Sequence, residues 1–415
     1  MSTTQTPPPA TADDGDPHGG SGGLTARVSL GRVFAPVPSE FLLIASTALI
    51  LTVFGLVMIL SATSATSTAV GEAPWDAAVK QGVFAALGIP LMFIASRLPI
   101  RFWKRIAWPA LIGATVFQLL VFTPLGVEND GNRNWIVIGG VQAQPSEFLK
   151  LALALWLGFV LFRKQTLLGL WRHVFIPVVP VAGAVIATVL AGRDLGTGMV
   201  LVLIVLAALF FSGVKLRIFI LPLIVAVGAV AALAVTSPNR MARIMSFLDA
   251  DCDYFDECYQ PMHGVFGLAQ GGVFGLGLGN SKEKYDWLPA AANDYIFAIV
   301  GEELGLIGCI VVLALFALYA VGAFHVIRKT DDPFVRIVAG AVTVWIVGQA
   351  LINIGVVLRV FPVLGVPLPF MSQGGTSLLS LLVATGVLLA CARSLPVRTS
   401  SVAAPPDPPR RAKIG

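Results

Sequence analysis

The chain has 415 residues, of which 56% are hydrophobic and 12% charged, and its net charge is +5. A mean hydropathy of +0.84 excludes an ordinary soluble domain and indicates a polytopic membrane protein. The positive charge does not require a nucleic-acid partner, because the excess lies in short loops between apolar runs, where membrane topology explains it. Four cysteines are too few for a disulfide scaffold.

The N-terminal segment, residues 1–37, is rich in Pro, Thr, Gly and Asp. Such a composition cannot bury enough apolar surface to fold alone, so a disordered tail is expected. It is not a secretory signal, because no basic start is followed at once by an apolar core. The predicted organisation is a disordered cytoplasmic tail at 1–37, a ten-helix membrane domain at 38–396 and a basic cytoplasmic tail at 397–415.

Ten apolar runs follow the tail, each near the ~20 residues that an upright transmembrane helix needs. They lie at 41–63, 76–98, 106–125, 145–162, 174–191, 197–214, 218–236, 296–324, 337–358 and 376–395. The predicted fold class is therefore an all-α polytopic membrane protein with ten transmembrane helices. Because the number of spans is even, both termini are expected on one side of the membrane.

Basic residues concentrate in alternate short loops, which predicts that these loops and both termini are cytoplasmic. The residues are Arg101, Lys104 and Arg105, then Arg163, Lys164 and Arg172, then Lys215 and Arg217, then Arg328, Lys329 and Arg336. The opposite loops hold most of the acids. One of them, about 237–295 between the seventh and eighth runs, is far longer than the others. Long ordered loops are unusual without a function, so chemistry is expected on the extracytoplasmic face.

Asp294 stands where this long loop gives way to a strongly apolar run. A carboxylate at the rim of a membrane span is expensive to desolvate, which makes Asp294 the first candidate functional residue unless a neighbour merely pairs with it. Upstream, repeated glycines between 271 and 279 precede Lys282 and Lys284. Glycines allow the backbone N–H groups to approach a ligand, and the lysines add positive charge, which together suit a diphosphate.

Two further polar stretches begin predicted helices. Pro145 favours a helix start, and Glu147 lies three residues before Lys150, a spacing that forms an ion pair within a helix. The pair is either part of a well-begun helix or a brace for a functional site, because charges inside an apolar span normally face protein or a wet cavity. Asp194 is expected to cap the next helix, and Arg193 beside it to meet an anionic ligand.

Three prolines and four glycines between 353 and 375 predict a broken, re-entrant connection, which a membrane protein tolerates only where protein or water covers the backbone. Cys252 and Cys258, six positions apart, either form a disulfide in an oxidising compartment or remain two free thiols. No metal-ligand cluster is visible. The four histidines are scattered and are interpreted as solvated or interfacial: His18, His173, His263 and His325.

These motifs resemble those of the SEDS (shape, elongation, division and sporulation) glycosyltransferases, the FtsW/RodA family. The matching elements are Gln144-Pro145-Ser146-Glu147 with Lys150, Asp194-Leu195-Gly196-Thr197, the run from Gly271 to Lys284, Leu288-Pro289 through Asp294 to Gly301-Glu302-Glu303-Leu304-Gly305, and Pro367-Leu368-Pro369-Phe370 into Gly374-Gly375. They occur in family order over about 41–395. Asn280-Ser281 with Lys284, and Asn353-Ile354-Gly355 before Arg359, are more similar to FtsW than to RodA.

The resemblance implies a ten-helix enzyme that polymerises lipid II into glycan strands at the outer face of the cytoplasmic membrane, with release of undecaprenyl diphosphate, for septal wall synthesis. It implies a class B penicillin-binding protein and other cell-division proteins as partners. Asp294 falls on the family's essential aspartate and is the expected catalytic residue. Expected substrate-binding residues are Lys284, Lys282, Arg133, Lys150 and Gln260, and expected supporting residues are Glu147, Asp194, Glu303, Ser372 and Gly374. The identity of any metal stays open, with Mg²⁺ or Mn²⁺ as the candidates.

The chain also departs from the family pattern. Asn134 stands where an Arg usually precedes the Trp, Ala292-Asn293 replaces the His-Thr before the aspartate, and Arg193 replaces a Pro. These changes leave room for a specialised or weakly active paralogue. Two alternatives to the polymerase are a transporter of lipid-linked precursor and a non-catalytic scaffold, although no inverted repeat of interrupted helices is visible.

Overall fold

The computed structural model describes residues 38–129, 132–215 and 258–395, with isolated positions between 217 and 255. The predicted tails at 1–37 and 397–415, and most of the predicted seventh span at 218–236, lie outside the described residues. Within the described part, eight helices are long and apolar enough to cross a membrane. The polytopic α-helical class is thereby confirmed, and the count of ten spans stays a prediction.

The described helices are, in chain order, α1 Ser39–Ala69, α2 Asp76–Arg97, α3 Ile100–Leu119, α4 Pro145–Arg163, α5 Trp171–Ala191, α6 Leu195–Phe211, α7 Tyr259–Gly271, α8 Ile296–Lys329, α9 Pro333–Val357 and α10 Gly375–Arg393. Eight of them are the candidate spans; α6 is apolar but only 17 residues long. The 13-residue α7 lies inside the long loop and was not predicted.

The predicted third and first spans differ from the structure by six residues at a boundary. The third span was expected at 106–125, but α3 begins at Ile100, directly after Pro99. The basic residues expected in a loop therefore occupy the first turns of α3, where long side chains can reach polar surroundings. One of them, Lys104, places its Nζ 2.7 Å from Asp332 Oδ2. The first span continues to Ala69, and the hydroxyl groups of Ser64, Thr66 and Thr68 donate to carbonyls of the same helix.

The centre of the bundle is formed by α4, which packs against α3, α6 and α9, while α10 packs against α2 and α1 against α8. Helix α4 is buried around most of its circumference, which is typical of a helix enclosed by others rather than exposed to lipid. Trp156 of α4 and Trp345 of α9 are fully buried there. The α7 helix packs on α8, next to the start of that span.

Between α3 and α4 the chain forms a small antiparallel sheet, which the all-α prediction missed. Its strands are β1 Gly126–Asn129, β2 Asn132–Ile138 and β3 Val141–Ala143, in the order β1-β2-β3. The β2–β3 connection is Gly139-Gly140, with φ of 59° and 81°, which suits the tight hairpin turns that need positive φ. A Gly-Gly pair after a β-branched run was a readable hairpin signal.

Helix α8 is interrupted at Gly305, whose φ of 66° and ψ of −163° are not helical. The break leaves backbone N–H and C=O groups on both sides of Gly305 without partners inside the helix. The glycine-rich loop forms hydrogen bonds with these groups. The bonds are Leu276 N to Glu302 O, Gly277 N to Glu303 O, Leu306 N to Gly272 O and Ile307 N to Val273 O, at 2.9–3.3 Å. A Cβ at Gly305 would lie 2.4 Å from Val273 O, so glycine is required at this contact.

The chain between α9 and α10, residues 358–374, contains no described helix or strand. We call it the re-entrant segment. Leu368, Phe370 and Met371 are each at most 2% exposed, so the irregular backbone here is covered by protein. The broken connection expected from its prolines and glycines is therefore present, with the protein cover that such a segment needs inside a membrane.

Candidate functional site

The polar stretches that the sequence singled out meet at one end of the bundle, which we call the loop end. Asp194 connects them: its Oδ1 accepts from Thr197 N at 2.9 Å and so caps α6, as expected. Its Oδ2 accepts from Asn134 Nδ2 in β2 and from Gln144 Nε2 before α4, both at 3.1 Å. Gln144 N in turn donates to Thr376 Oγ1 of α10 at 3.2 Å. One buried carboxylate thus ties the sheet to three helices.

Asp294 lies in the turn 290–295, directly before α8. Three successive carbonyl oxygens of this turn accept hydrogen bonds from α9 and the re-entrant segment. Ala292 O accepts from Gln373 N at 2.9 Å, and Asn293 O accepts from Ser372 Oγ at 2.6 Å. Asp294 O accepts from Asn353 Nδ2 at 2.7 Å. The backbone that carries Asp294 is therefore fixed at three points by neutral donors. Both elements that fix it, α9 and the re-entrant segment, are distant in sequence.

The Asp294 side chain is half-buried, not enclosed. It lies against Gly365 of the re-entrant segment, where φ is +65° and an added Cβ would be 3.6 Å from Asp294 Oδ2. The sequence argument expected a carboxylate at a membrane rim, and the structure places it between α8 and an irregular, protein-covered segment. This arrangement can hold a base in a defined orientation while leaving it accessible to a hydroxyl group.

Ser372 and Gly374, predicted as supporting residues, both stabilise the re-entrant segment. Besides its bond to the Asp294 turn, Ser372 Oγ accepts from Leu368 N at 2.7 Å, which closes a tight loop. Gly374 N donates to Gln81 Oε1 of α2 at 3.1 Å. The segment is thus fastened to α2 on one side and to the Asp294 turn on the other.

Glu147 and Lys150 form the predicted ion pair, with 2.8 Å between Lys150 Nζ and Glu147 Oε1 and side-chain exposures of 1% and 2%. Burying two charges is costly unless their remaining hydrogen-bonding capacity is used. Ser377 Oγ donates to Glu147 Oε2 at 3.2 Å, and Lys150 Nζ donates to Gln349 Oε1 at 3.2 Å. This enclosure favours a bracing role for Lys150; its predicted contact with substrate stays a prediction.

A second acidic cluster is fully enclosed. Glu302 and Glu303 of α8 are both 0% exposed. Glu302 accepts from Ser281 Oγ at 2.5 Å and from Lys282 N at 2.7 Å. Glu303 Oε1 accepts from Ser61 Oγ of α1 at 2.6 Å. These bonds clamp the loop after α7 onto α8 and α1, which is a structural role for the predicted supporting residue Glu303.

Lys284 belongs to this enclosed cluster. Its side chain is 3% exposed, with Nζ 2.6 Å from Gly279 O and 3.6 Å from Glu303 Oε1. The glycine-rich loop likewise uses its N–H groups within the protein, since Leu276 and Gly277 donate to α8 carbonyls. The expectation that these glycines present N–H groups to a diphosphate is therefore wrong for Gly275 and Gly277, which donate to Gly271 O and Glu303 O. Diphosphate binding by Lys284 stays a prediction, and its geometry favours a structural role.

The other predicted substrate-binding residues lie at or near the surface. Lys282 is exposed, although its backbone N–H donates to Glu302. Arg133 is half-buried and donates to Thr123 O at 3.0 Å. Gln260 Nε2 of α7 donates to Pro289 O at 3.0 Å, just before the Asp294 turn. Of the three, Lys282 has the most accessible charge.

His263 corrects the interpretation of the histidines as solvated or interfacial. It is 5% exposed, with Nδ1 2.6 Å from Glu283 Oε2 and Nε2 3.0 Å from Tyr254 OH. Burial raises the pKa of the Glu283 carboxyl above its ordinary value, and the hydrogen bond from His263 opposes this. No local pattern in the sequence links residues 263 and 283; only the packing of α7 against the loop brings them together.

The predicted disulfide cannot be followed at both ends, because Cys252 lies outside the described residues. Cys258 is disulfide-bonded and buried, whereas Cys309 and Cys391 are free. The pairing with Cys252 therefore stays a prediction. Among the described residues, no group of three or more His, Cys, Asp or Glu side chains is arranged to hold a metal ion.

Sequence reasoning also missed Gln349. It lies one helical turn before Asn353 on α9, and both amides are at most 1% exposed. Two amide side chains four residues apart inside an apolar span share one helix face and are expected to bond to protein. That spacing was a usable signal.

Fold and site together define a polytopic α-helical membrane protein with a polar network at one end of its bundle. Residues 41–396 match the family described as "Cell cycle protein", the FtsW, RodA and SpoVE family. The chain belongs to this family, which confirms the resemblance inferred from its motifs.

Two curated relatives illustrate the match. The "Probable peptidoglycan glycosyltransferase FtsW" of Mycobacterium tuberculosis is 36% identical over 387 residues, covering 93% of this chain and 74% of that protein. "Stage V sporulation protein E" of Bacillus subtilis is 33% identical, covering 85% of this chain and 97% of that protein. The similarity therefore extends through the whole membrane domain.

Solved structures agree on the fold. RodA of Thermus thermophilus, a "Rod shape determining protein", superposes with a TM-score of 0.64 at 23% identity, covering 87% of this chain and 98% of that chain. A chain from a structure described as "Structural coordination of polymerization and crosslinking by a peptidoglycan synthase complex" has a TM-score of 0.64 at 26% identity, covering 82% and 97%.

Proposed function

We propose that this protein is a peptidoglycan glycosyltransferase that polymerises lipid II, and that Asp294 is its catalytic residue. The observation that carries the proposal is the Asp294 turn: a half-buried carboxylate on a backbone fixed by three hydrogen bonds, in a chain of the FtsW, RodA and SpoVE family. Relatives at 33–36% identity that span most of this chain include proteins named as probable peptidoglycan glycosyltransferases.

In the proposed reaction Asp294 acts as a general base. It accepts the proton of the 4-hydroxyl group of an acceptor lipid II, whose oxygen then attacks the anomeric carbon of the growing strand. A new glycosidic C–O bond forms, the C–O bond to the diphosphate breaks, and undecaprenyl diphosphate leaves with the bonding electrons. A base whose backbone is held in place by three hydrogen bonds suits this role.

The leaving diphosphate needs positive charge nearby. Lys282 is exposed and Arg133 half-buried at the loop end, so these two side chains are proposed to approach it, with Gln260 contributing polar contacts. A divalent cation would supply the same neutralisation, but the described carboxylates of the enclosed cluster are already bonded to Ser281 and Ser61. No step is therefore assigned to a metal.

We further propose that the loop end faces the extracytoplasmic side, that both termini are cytoplasmic and that the enzyme serves septal wall synthesis. Support comes from the basic residues at the opposite helix ends, such as Lys104 and Lys329, and from the family's description as cell cycle proteins. The structural neighbour from a peptidoglycan synthase complex supports a class B penicillin-binding protein as partner.

A reconstitution experiment tests the function. Purified protein in liposomes is given fluorescent lipid II, with and without a co-purified class B penicillin-binding protein, and products are separated by gel. Glycan polymer that disappears in Asp294→Asn supports the proposal. Translocated but unpolymerised lipid II would indicate a transporter, and neither polymer nor translocation in both arms would indicate a scaffold.

A further inference from the structure

A polar column, joined at one step by the backbone between Val366 and Pro367, links the buried ion pair of α4 to the Asp294 turn. Its steps are Glu147 Oε1 to Lys150 Nζ at 2.8 Å, Lys150 Nζ to Gln349 Oε1 at 3.2 Å, Gln349 Nε2 to Pro367 O at 2.9 Å, and Asn353 Nδ2 to both Val366 O and Asp294 O at 2.7 Å. We call Gln349 and Asn353 the amide ladder.

The amide ladder follows from helix geometry. Gln349 and Asn353 are four residues apart on α9, so their side chains lie above one another on one face. Trp345, four residues earlier on the same face, donates its Nε1 to Gln349 Oε1 at 3.0 Å. That bond and the bond from Lys150 hold the Gln349 oxygen, so its Nε2 must point at the re-entrant segment. The orientation of Gln349 is therefore determined by its partners.

Asn353 joins two separate segments through one amide nitrogen. Its two N–H groups donate to a carbonyl of the re-entrant segment, Val366 O, and to the carbonyl of Asp294 itself. Its Oδ1 is buried and has no hydrogen-bond partner among the described residues. Leaving a buried amide oxygen unpaired costs free energy, but an apolar residue at this position would lose both N–H hydrogen bonds. Asn353 therefore acts through its side-chain nitrogen, which donates both described hydrogen bonds.

We propose that Gln349 and Asn353 are positioning residues, which transmit the placement of the Glu147–Lys150 pair to the Asp294 turn. This inference rests on the proposed function for its catalytic readout. In structural terms, the amide ladder holds residues 290–295 in place through the re-entrant segment. A base misplaced by about 1 Å can lose about 100-fold in rate while substrate binding is unchanged.

The test compares Asn353→Leu and Gln349→Leu with Gln118→Leu. Gln118 of α3 is also a buried amide, 1% exposed, and its Oε1 has no partner among the described residues. The first measurement is amide hydrogen exchange in detergent-purified protein. Both ladder variants are expected to accelerate exchange at 290–296, while Gln118→Leu leaves that peptide unchanged. Gln349→Leu is decisive, because the described bonds of Gln349 go to Lys150, Trp345 and Pro367 and none goes to this turn.

The second measurement is lipid II polymerisation. Asn353→Leu is expected to lower kcat about 10- to 100-fold with KM changed less than about twofold. In an Asp294→Asn background, adding Asn353→Leu should cause no further loss, because the ladder acts through Asp294. An equal further loss in that background, or unchanged exchange at 290–296 in both ladder variants, would overturn the inference. If wild-type protein makes no polymer, the proposed function fails, and the exchange measurement still decides the ladder.

Discussion

Two acidic sites lie about two turns apart near the start of α8, and they differ in burial and in how the chain around them is held. At Asp294 the described hydrogen bonds go to the backbone carbonyls of the turn, and the side chain is half-buried. At Glu302 and Glu303 they go to the carboxylate oxygens, and both side chains are 0% exposed. A carboxylate whose oxygens hold loops together is occupied by structure. Asp294 is held through its backbone carbonyl, and its side chain is only half-buried.

The comparison has a physical basis. A carboxylate that is 0% exposed, such as that of Glu302 or Glu303, cannot be reached by the hydroxyl group of a substrate. It is a poor general base. Asp294 is half-buried, and neutral donors on Ser372 and Asn353 restrain the backbone around it. The distinction predicts opposite consequences for substitutions at the two sites.

The largest effect is expected for Asp294→Asn. This change preserves shape but removes the base, and general-base catalysis typically contributes about 10²–10⁴-fold. Polymerisation of lipid II should fall by that factor, while abundance in the membrane and the thermal unfolding temperature stay near wild type. Asp286→Asn is the matched control, since Asp286 is an exposed acid in the same loop. Near-normal polymer from Asp294→Asn would remove the general-base assignment.

The second effect concerns the Glu147–Lys150 pair. Either Glu147→Ala or Lys150→Ala leaves an unpaired charge at about 1–2% exposure, and breaking a buried pair costs about 3–5 kcal/mol. Thermal unfolding in detergent should show this loss for each single variant, and the charge-reversed double variant should recover part of it. If both single variants unfold at the wild-type temperature, the ion pair does not contribute to the stability of the protein.

The third effect sharpens the contrast at the enclosed cluster. Ser61→Ala removes the 2.6 Å hydrogen bond to Glu303 and should lower stability by about 1.5–3 kcal/mol, the range for bonds to charged groups. Ser64→Ala on the same helix is the control, because Ser64 donates to a carbonyl of its own helix. Polymerisation per folded molecule should be unchanged in both variants. A selective loss of kcat in Ser61→Ala would mean that the two acidic sites are not separate.

The smallest effect on function is expected at the loop cysteines. A Cys252–Cys258 bond would close a small ring, which in the chain-entropy model stabilises by roughly 2–3 kcal/mol at best. We expect a local clamp next to α7 and full polymerase activity in Cys252→Ser/Cys258→Ser. Intact-mass analysis after alkylation, with and without reductant, checks the bond. Two alkylated loop cysteines in unreduced protein would show that they are not bridged.

The local sequence was sufficient to predict features that depend on neighbouring residues in one element. Asp294 was identified because an acid at the edge of an apolar run is costly, and the Glu147–Lys150 pair because residues three apart on a helix are neighbours. Asp194 was readable as a cap for the same reason. The boundary of α3 was misplaced because long basic side chains let a helix extend past its apolar stretch.

The partners of these residues were not readable in advance. Gln349 meets Lys150 across 199 positions, Ser61 meets Glu303 across 242, and Ser372 meets Asn293 across 79. Hydrophobic periodicity indicates which face of a helix is buried, but it does not indicate which other helix packs against that face. The glycine-rich loop shows the consequence: its composition suited a phosphate, whereas packing against the break at Gly305 consumed the N–H groups of Leu276 and Gly277.

The sequence by itself determined the membrane class, most span positions and the family, because each depends on composition or on patterns along the chain. Tertiary structure alone decided which charged groups are enclosed and which stay accessible. Lys284 and Lys282 are two residues apart, yet one is 3% exposed in an ion pair and the other is exposed. Burial depends on what the rest of the chain packs against each position, and that is settled only when the helices meet.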